Sequence, residues 1–334
     1  MNSSTPTKLA VLGTGGTIAG AAVDPMDNVG YAAAQVGVAQ LLGSVPALPR
    51  LLGACELVTE QVAQIDSKDM TWAVLYTLWQ RVTHHLSQSD VMGVVITHGT
   101  DTLAETAYFL HCVLSPELLS AKPVVLTCAM RPASALAPDG PQNVLDAVAV
   151  ALTPSANGVM AVCAGTVHGA EHVQKVDTYR RDAFDSGDYG PLAYVEEGAL
   201  RQLKNWPAPG AKPIGEAVHR QAQSNDWPRV EIVMNHVGAS GAMVDALLAQ
   251  RAAGALDVPV LRGLVVAGTG NGTIHADLHA ALRRAQSAGV QVVRASCCQR
   301  GRVLPSGDVD LFPDSQGLSA VKARIDLVLS LMMA

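Results

Sequence analysis

Two segments of the chain each carry a threonine on a glycine-rich turn. In LAVLGTGGTIAG, the apolar run 8–12 enters Gly13, Gly15 and Gly16 and then reaches Thr17. In VVITHGTDTLAETAYFL, the run 91–97 ends at His98-Gly99, and Thr100-Asp101 opens a helical pattern. Glycines let the backbone turn sharply and approach a ligand closely. A threonine hydroxyl is a poor nucleophile until a base takes its proton, so hydroxyl chemistry needs partners close by. Taken singly, each turn has a plainer reading: Thr17 as a turn residue, Asp101 as a helix cap, Thr102-x-x-Glu105 as a capping box. Taken together, two Gly-Thr turns favour a site. The spacing is not the GxGxxG dinucleotide fingerprint.

The elements around these turns predict an α/β fold. Strands are expected at 8–12, 91–97, 123–129, 158–164, 230–235, 263–268 and 290–295. Helical patterns lie between them at 69–87, 101–114, 141–152, 240–254, 274–288 and 317–333. Nearly continuous apolar strands alternating with helices indicate a mostly parallel sheet covered on both faces. Such sheets bind ligands beyond the carboxyl ends of their strands, where both threonine turns fall. From about 201 to 228 the chain holds four prolines and few apolar runs, which reads as a linker. The expected division is a larger N-terminal α/β domain over 1–200 and a smaller C-terminal α/β domain over 229–334.

Composition narrows the function classes. Hydrophobic residues make up 49% of 334 and charged residues 16%, ample for ordinary cores. The net charge of −6 and the lack of a basic block argue against nucleic acid. Six scattered cysteines without a CxxC pair read as free thiols of a reducing compartment, hence a cytoplasmic protein. The run after Lys8 loosely follows a signal peptide, but its glycines and threonines interrupt any h-region. No stretch is apolar enough to span a bilayer.

The motifs TGGTIAG and THGTDTLAETAYFL closely resemble the bacterial-type L-asparaginase family. CAMRPASALAPDGPQNVLDAV, HVQKVDTY, DYGPLAYV and GTGNGT follow in the same order, so the resemblance covers about 8–333. It implies a two-domain α/β enzyme without metal or organic cofactor that hydrolyses the side-chain amide of asparagine. It also implies a homotetramer, a dimer of dimers, with sites at subunit interfaces. By motif, Thr17 is the nucleophile, on a lid that also holds Tyr31 and is flanked by Gly20 and Gly30 as hinges. Thr100, Asp101 and Lys175 form a second catalytic group. Ser67 binds the substrate carboxylate, Asp101 its ammonium, and Asn271 comes from a neighbouring subunit. A pocket distinguishes one methylene by only about 1–3 kcal/mol, so asparagine against glutamine stays open.

Two departures from the family stand out. Lys68 occupies a position that is usually glutamine or glutamate and that helps hold the ammonium. Like charges ~4 Å apart repel by about 4 kcal/mol at an effective dielectric of 20. Lys68 is therefore expected to turn away, towards Asp69, or to weaken affinity for free asparagine. The loop that supplies a glutamate in some members is shorter here, with Asp308 or Asp310 as substitutes.

Other patterns are weaker. His168-x-x-Glu171-His172 spells a zinc-protease motif, but its glycine-containing surroundings read as strand. A subunit of a tRNA-dependent amidotransferase would carry extra N-terminal sequence and favour a basic chain. A non-catalytic amino-acid-binding protein would keep Ser67 and Asp101 without needing Thr17, Thr100 and Lys175. Cys297-Cys298 reads as buried thiols, and His84-His85 as a solvated helix face.

Overall fold

Unbroken runs of Val, Leu and Ile form the centre of the larger sheet, because strands buried on both faces have no polar side to alternate with. The computed structural model describes residues 7–208, 214–254, 258–305 and 312–333. The chain divides into two compact units, Met1–Pro213 and Ile214–Ala334. Strands of the first unit are β1 (Lys8–Gly15), β2 (Glu56–Ile65), β3 (Val91–Thr97), β4 (Pro123–Thr127) and β5 (Gly158–Cys163). They continue with β6 (Thr166–Gly169), β7 (Gln174–Lys175), β8 (Phe184–Asp185), β9 (Ala193–Glu196) and β10 (Ala199–Gln202). Eight of these form one sheet in the order β10-β9-β6-β5-β4-β3-β1-β2, while β7 and β8 pair separately.

From β2 to β5 every pairing is parallel. Beyond β5 the sheet turns antiparallel, and tight turns join two of its three pairs, β5 to β6 and β9 to β10. Ala164-Gly165 and Glu197-Gly198 all have positive φ, at 48°, 73°, 50° and 74°. Two consecutive positive φ values make the turn whose twist matches a two-residue hairpin. The sheet is thus mostly parallel with an antiparallel edge.

Helices of this unit are α1 (Val38–Gly43), α2 (Leu48–Leu52), α3 (Trp72–Leu86), α4 (Leu103–Val113), α5 (Pro116–Ala121) and α6 (Gly140–Ala151). Helix α3 starts where Thr71 Oγ1 accepts from Val74 N–H at 3.3 Å. Its buried face is Leu75, Leu78, Val82 and Leu86, spaced three and four apart. The main core joins Leu9 and Val11 of β1 to Val95, Val125, Val144, Val148 and Val162.

The second unit holds a three-stranded parallel sheet, β11 (Arg229–Met234), β12 (Leu261–Gly268) and β13 (Gln291–Ser296), in that order. Its helices are α7 (Gly215–Ser224), α8 (Ala242–Ala253), α9 (Ala276–Ser287) and α10 (Ala320–Leu331), with α7 inside the proline-rich stretch. Its core includes Val244, Leu264, Val266, Leu278, Leu282 and Phe312.

Two sequence expectations are corrected here. His84 is exposed, but His85 is buried, with Nε2 3.0 Å from a Glu60 oxygen that Arg81 also engages. Cys297 and Cys298 are exposed rather than buried, because they fall past the end of β13 in the loop that follows it. Among the described residues, no helix is long and apolar enough to cross a membrane.

Candidate active site

The site is built where β1 and β3 lie side by side, with Leu12 opposite Ile96 and Gly13 opposite Thr97. Their carboxyl ends carry the two threonine turns. Gly16 has φ of 82°, and a Cβ placed there would lie 2.2 Å from Gly99 Cα. Only bare backbone allows the two turns to touch. A third loop joins them: a Cβ on Gly99 would meet Ser67 Oγ at 2.5 Å. Gly16 N–H donates to Ile65 O at 2.8 Å, and Thr14 Oγ1 donates to Thr97 O at 3.0 Å.

Thr17 is buried in a single 3-10 turn, and its Oγ1 lies 2.6 Å from Tyr31 Oη, with either hydroxyl able to donate. Tyr31 belongs to a loop that returns to the same turn through Ala21 and Ala32, whose N–H and O groups exchange two bonds of 2.9 Å. Gly20 makes room for the ring, since a Cβ there would come 2.8 Å from Tyr31 Cδ2. The loop is also tied to residues 133–136: Ala133 N–H donates to Gly20 O, Ala22 N–H to Ser134 Oγ, and Leu136 N–H to Pro25 O.

Thr100 is buried as well. Lys175, on β7, donates to Thr100 Oγ1 at 2.9 Å and to Asp101 Oδ1 at 2.6 Å. An ammonium on a hydroxyl oxygen favours the deprotonated form of that hydroxyl. Asp101 N–H donates to Ser67 Oγ at 3.2 Å, and Thr102 Oγ1 donates to Ser67 O at 2.8 Å. Buried Ser67 is thereby fixed beside Asp101.

The backbone under Thr100 is held by a residue given no role from sequence. His98 is fully buried, with Nδ1 2.7 Å from Gly99 O and Nε2 2.9 Å from Thr106 Oγ1. A carbonyl only accepts, so Nδ1 carries the proton and Nε2 accepts from Thr106. Burial pushes the His98 pKa down to about 4, which keeps the ring neutral at ordinary pH. Its position between an apolar strand and the Gly-Thr turn was the available signal.

Lys68 points aside, as its charge requires, but mainly to Asp66 and not to Asp69. Its Nζ lies 2.7 Å from Asp66 Oδ2 and 4.0 Å from Asp69 Oδ2. Asn271 sits in the second unit, where its amide donates to Leu304 O at 3.1 Å and accepts from Leu304 N–H at 2.7 Å. Asp308 and Asp310 lie outside the described residues. The HxxEH run has no shared helical face: His168 lies on β6 and contacts Ser186 Oγ at 2.8 Å, while His172 stacks on Tyr189 at 3.8 Å. Among the described residues, no cluster of His, Cys, Asp and Glu could hold a metal.

Comparison with known proteins finds two family models in tandem. "Asparaginase, N-terminal" matches residues 8–208, and "Glutaminase/Asparaginase C-terminal domain" matches 229–333. The chain is 36% identical to L-asparaginase 2 of Escherichia coli (strain K12) over 329 residues, covering 97% of this chain and 88% of that one. It is 36% identical to the glutaminase-asparaginase of Pseudomonas fluorescens biotype A over 302 residues, covering 89% and 78%. The crystal structure of a probable cytoplasmic L-asparaginase from Campylobacter jejuni superposes with a TM-score of 0.87 at 32% identity, covering 98% of this chain and 96% of that one.

Proposed function

The chain belongs to the asparaginase family, and from that premise we propose that it is an amidohydrolase that converts L-asparagine to L-aspartate and ammonia through a threonine nucleophile. The observation that carries this reading is the direct apposition of the two threonine turns, one hydroxyl on a tyrosine and the other on a lysine.

Thr17 Oγ1 attacks the amide carbon while its proton passes to Tyr31. The carbonyl oxygen becomes an oxyanion, and preorganised N–H donors stabilise it. Gly16 and Asp101 N–H groups are committed to Ile65 and Ser67, so Thr17 and Thr100 N–H groups are the assigned donors. Collapse breaks the C–N bond, and the leaving nitrogen takes the relayed proton and departs as ammonia. Water then adds to the Thr17 ester carbon while Thr100, held by Lys175 and Asp101, takes one of its protons and passes its own on. The C–O bond to Thr17 breaks as Thr17 Oγ1 is reprotonated through Tyr31, so the proton that water loses is the one Thr17 regains. Ser67 holds the substrate carboxylate, and Asp101 takes the ammonium.

We assign the enzyme to the cytoplasm on its six free thiols. We assign it a homotetramer in which Asn271 completes a neighbouring subunit's site. We assign an N-terminal domain over 1–200 and a C-terminal domain over 229–334; the stretch between them, read as a linker, carries the end of β10 and α7, and the compact units divide within it, between Pro213 and Ile214. Glutaminase activity is the second reading, supported by relatives named glutaminase-asparaginase. The test is ammonia release from L-asparagine and L-glutamine. Turnover of asparagine above glutamine is expected. Release from neither amide contradicts the proposal.

A further inference from the structure

A buried polar pair lies under the Thr100 turn and takes no part in the steps above. His98 directly follows β3, and its backbone N–H donates to Thr127 O of β4 at 2.8 Å. Its ring is fully buried between two partners, Gly99 O at 2.7 Å from Nδ1 and Thr106 Oγ1 at 2.9 Å from Nε2. Thr106, on α4, is fully buried too. Neither partner is a carboxylate, so nothing balances a charge on the ring, and burial keeps it neutral. A neutral imidazole has one donor and one acceptor. Gly99 O only accepts, so Thr106 must donate to Nε2, which leaves the ring proton on Nδ1. Thr106 thereby selects the tautomer that can hold Gly99. Gly99 O and Thr100 N–H are the two ends of one peptide group, which is planar and trans, so they point in opposite directions. Gly99 has no Cβ to favour one orientation of that plane over another, and the bond from His98 makes the choice. With Gly99 O held on the buried ring, Thr100 N–H points away from it.

We propose that Thr106 and His98 are positioning residues that aim the Thr100 N–H at the oxyanion, through one proton fixed on His98 Nδ1. The inference rests on the amidohydrolase reading of the site and on Thr100 N–H as an oxyanion donor. Both side chains act through the Gly99–Thr100 peptide, and their protons stay in place throughout turnover. A misplacement of about 1 Å in such a site costs on the order of 10²-fold in rate, which sets the scale of the effect.

The experiment measures kcat and KM for L-asparagine in the full-length wild type, His98→Asn, His98→Gln, Thr106→Ser and Thr106→Val. An asparagine amide reaches to where Nδ1 stands and donates to Gly99 O, whereas a glutamine amide reaches to where Nε2 stands and leaves Gly99 O unheld. His98→Gln is expected to lose about 10²-fold in kcat with KM within about threefold of wild type, because the oxyanion exists only in the transition state. His98→Asn is expected to recover most of that loss. Thr106→Val, close in shape but unable to donate, is expected to lose about tenfold in kcat, and Thr106→Ser to recover it. Nitrogen NMR of the wild type with labelled histidine, the His98 signals being assigned by their loss in His98→Asn, reads the tautomer without relying on the kinetics of any variant. A proton on Nδ1 is expected, and a proton on Nε2 overturns the inference. Equal kcat in His98→Asn and His98→Gln, or a loss confined to KM, overturns it as well. All three results leave the amidohydrolase reading intact so long as the wild type releases ammonia. Release from neither L-asparagine nor L-glutamine overturns both.

Discussion

At the scale of single residues, the two hydroxyls stand in different chemical surroundings. Thr17 faces another hydroxyl at 2.6 Å, and Thr100 faces an ammonium at 2.9 Å. Tyr31→Phe removes the proton relay and leaves the ring that Gly20 accommodates. A fall in kcat of about 10²–10³-fold with an unchanged melting temperature is expected. A variant that keeps wild-type kcat shows that the proton goes elsewhere. His98 gives a pH prediction. Its pKa is about 4 when folded, against an ordinary value of 6.5. Below pH 6.5 the unfolded chain takes up a proton that the folded chain refuses, so this contribution is complete above 6.5 and is lost as pH falls. At about 1.4 kcal/mol per pH unit, the loss approaches about 3 kcal/mol by pH 4. Urea unfolding of the wild type and His98→Asn across that range checks it: the variant has the shallower dependence. Cysteines offer a third test. Burial pushes the Cys128 thiol well up, whereas Cys297 and Cys298 are exposed. A thiol reagent is expected to modify Cys297 and Cys298 rapidly and Cys128 only on unfolding, as peptide mass mapping can show.

At the scale of elements, the close approach of β1 and β3 turns is the part on which the chemistry depends. Gly16→Ala forces a Cβ against Gly99 at a φ of 82°. A loss of about 1–3 kcal/mol in stability is expected, with nearly complete loss of turnover. Gly254→Ala is the matched control: its φ is 61°, but a Cβ there meets nothing within 4 Å. It costs about 1 kcal/mol and leaves kcat alone. Equal effects of the two on kcat contradict the apposition. Elements with strong periodicity or unbroken apolar runs were legible from sequence, among them β1, β3, β4 and α3. Strand β2 was not, because ELVTEQVAQI is half exposed and its apolar residues do not run on. The antiparallel edge was missed because Ala164-Gly165 and Glu197-Gly198 lack the Asn-Gly or Asp-Gly pair that marks a two-residue hairpin, although both adopt its positive φ. Helix α7 hid among prolines with few apolar neighbours.

At the scale of the whole molecule, the motifs made the site legible beyond what residue patterns alone allow. Thr17, Thr100 and Asp101 stand on turns that any reading of parallel sheets singles out. Tyr31 and Lys175 are distant in sequence from their partners, and only the fold brings them in. His98 escaped notice because a buried histidine in an apolar strand end has no motif of its own. Asn271 lies in the second unit with its amide engaged by Leu304, and the role proposed for it is in a neighbouring subunit's site. Asn271→Ala is expected to lower kcat/KM by about tenfold while leaving the proposed tetramer intact by light scattering. Unchanged kinetics in an intact tetramer removes Asn271 from the site.

The central claim is that Thr17 forms the covalent bond and Thr100 helps water break it. Intact-protein and peptide mass spectrometry after mixing with L-asparagine tests it directly, using the wild type, Thr17→Ala and Thr100→Val. An aspartyl ester on Thr17 is expected to accumulate in Thr100→Val, with no adduct and at least about 10³-fold lower turnover in Thr17→Ala. An adduct on Thr100, or ammonia release surviving in Thr17→Ala, contradicts it.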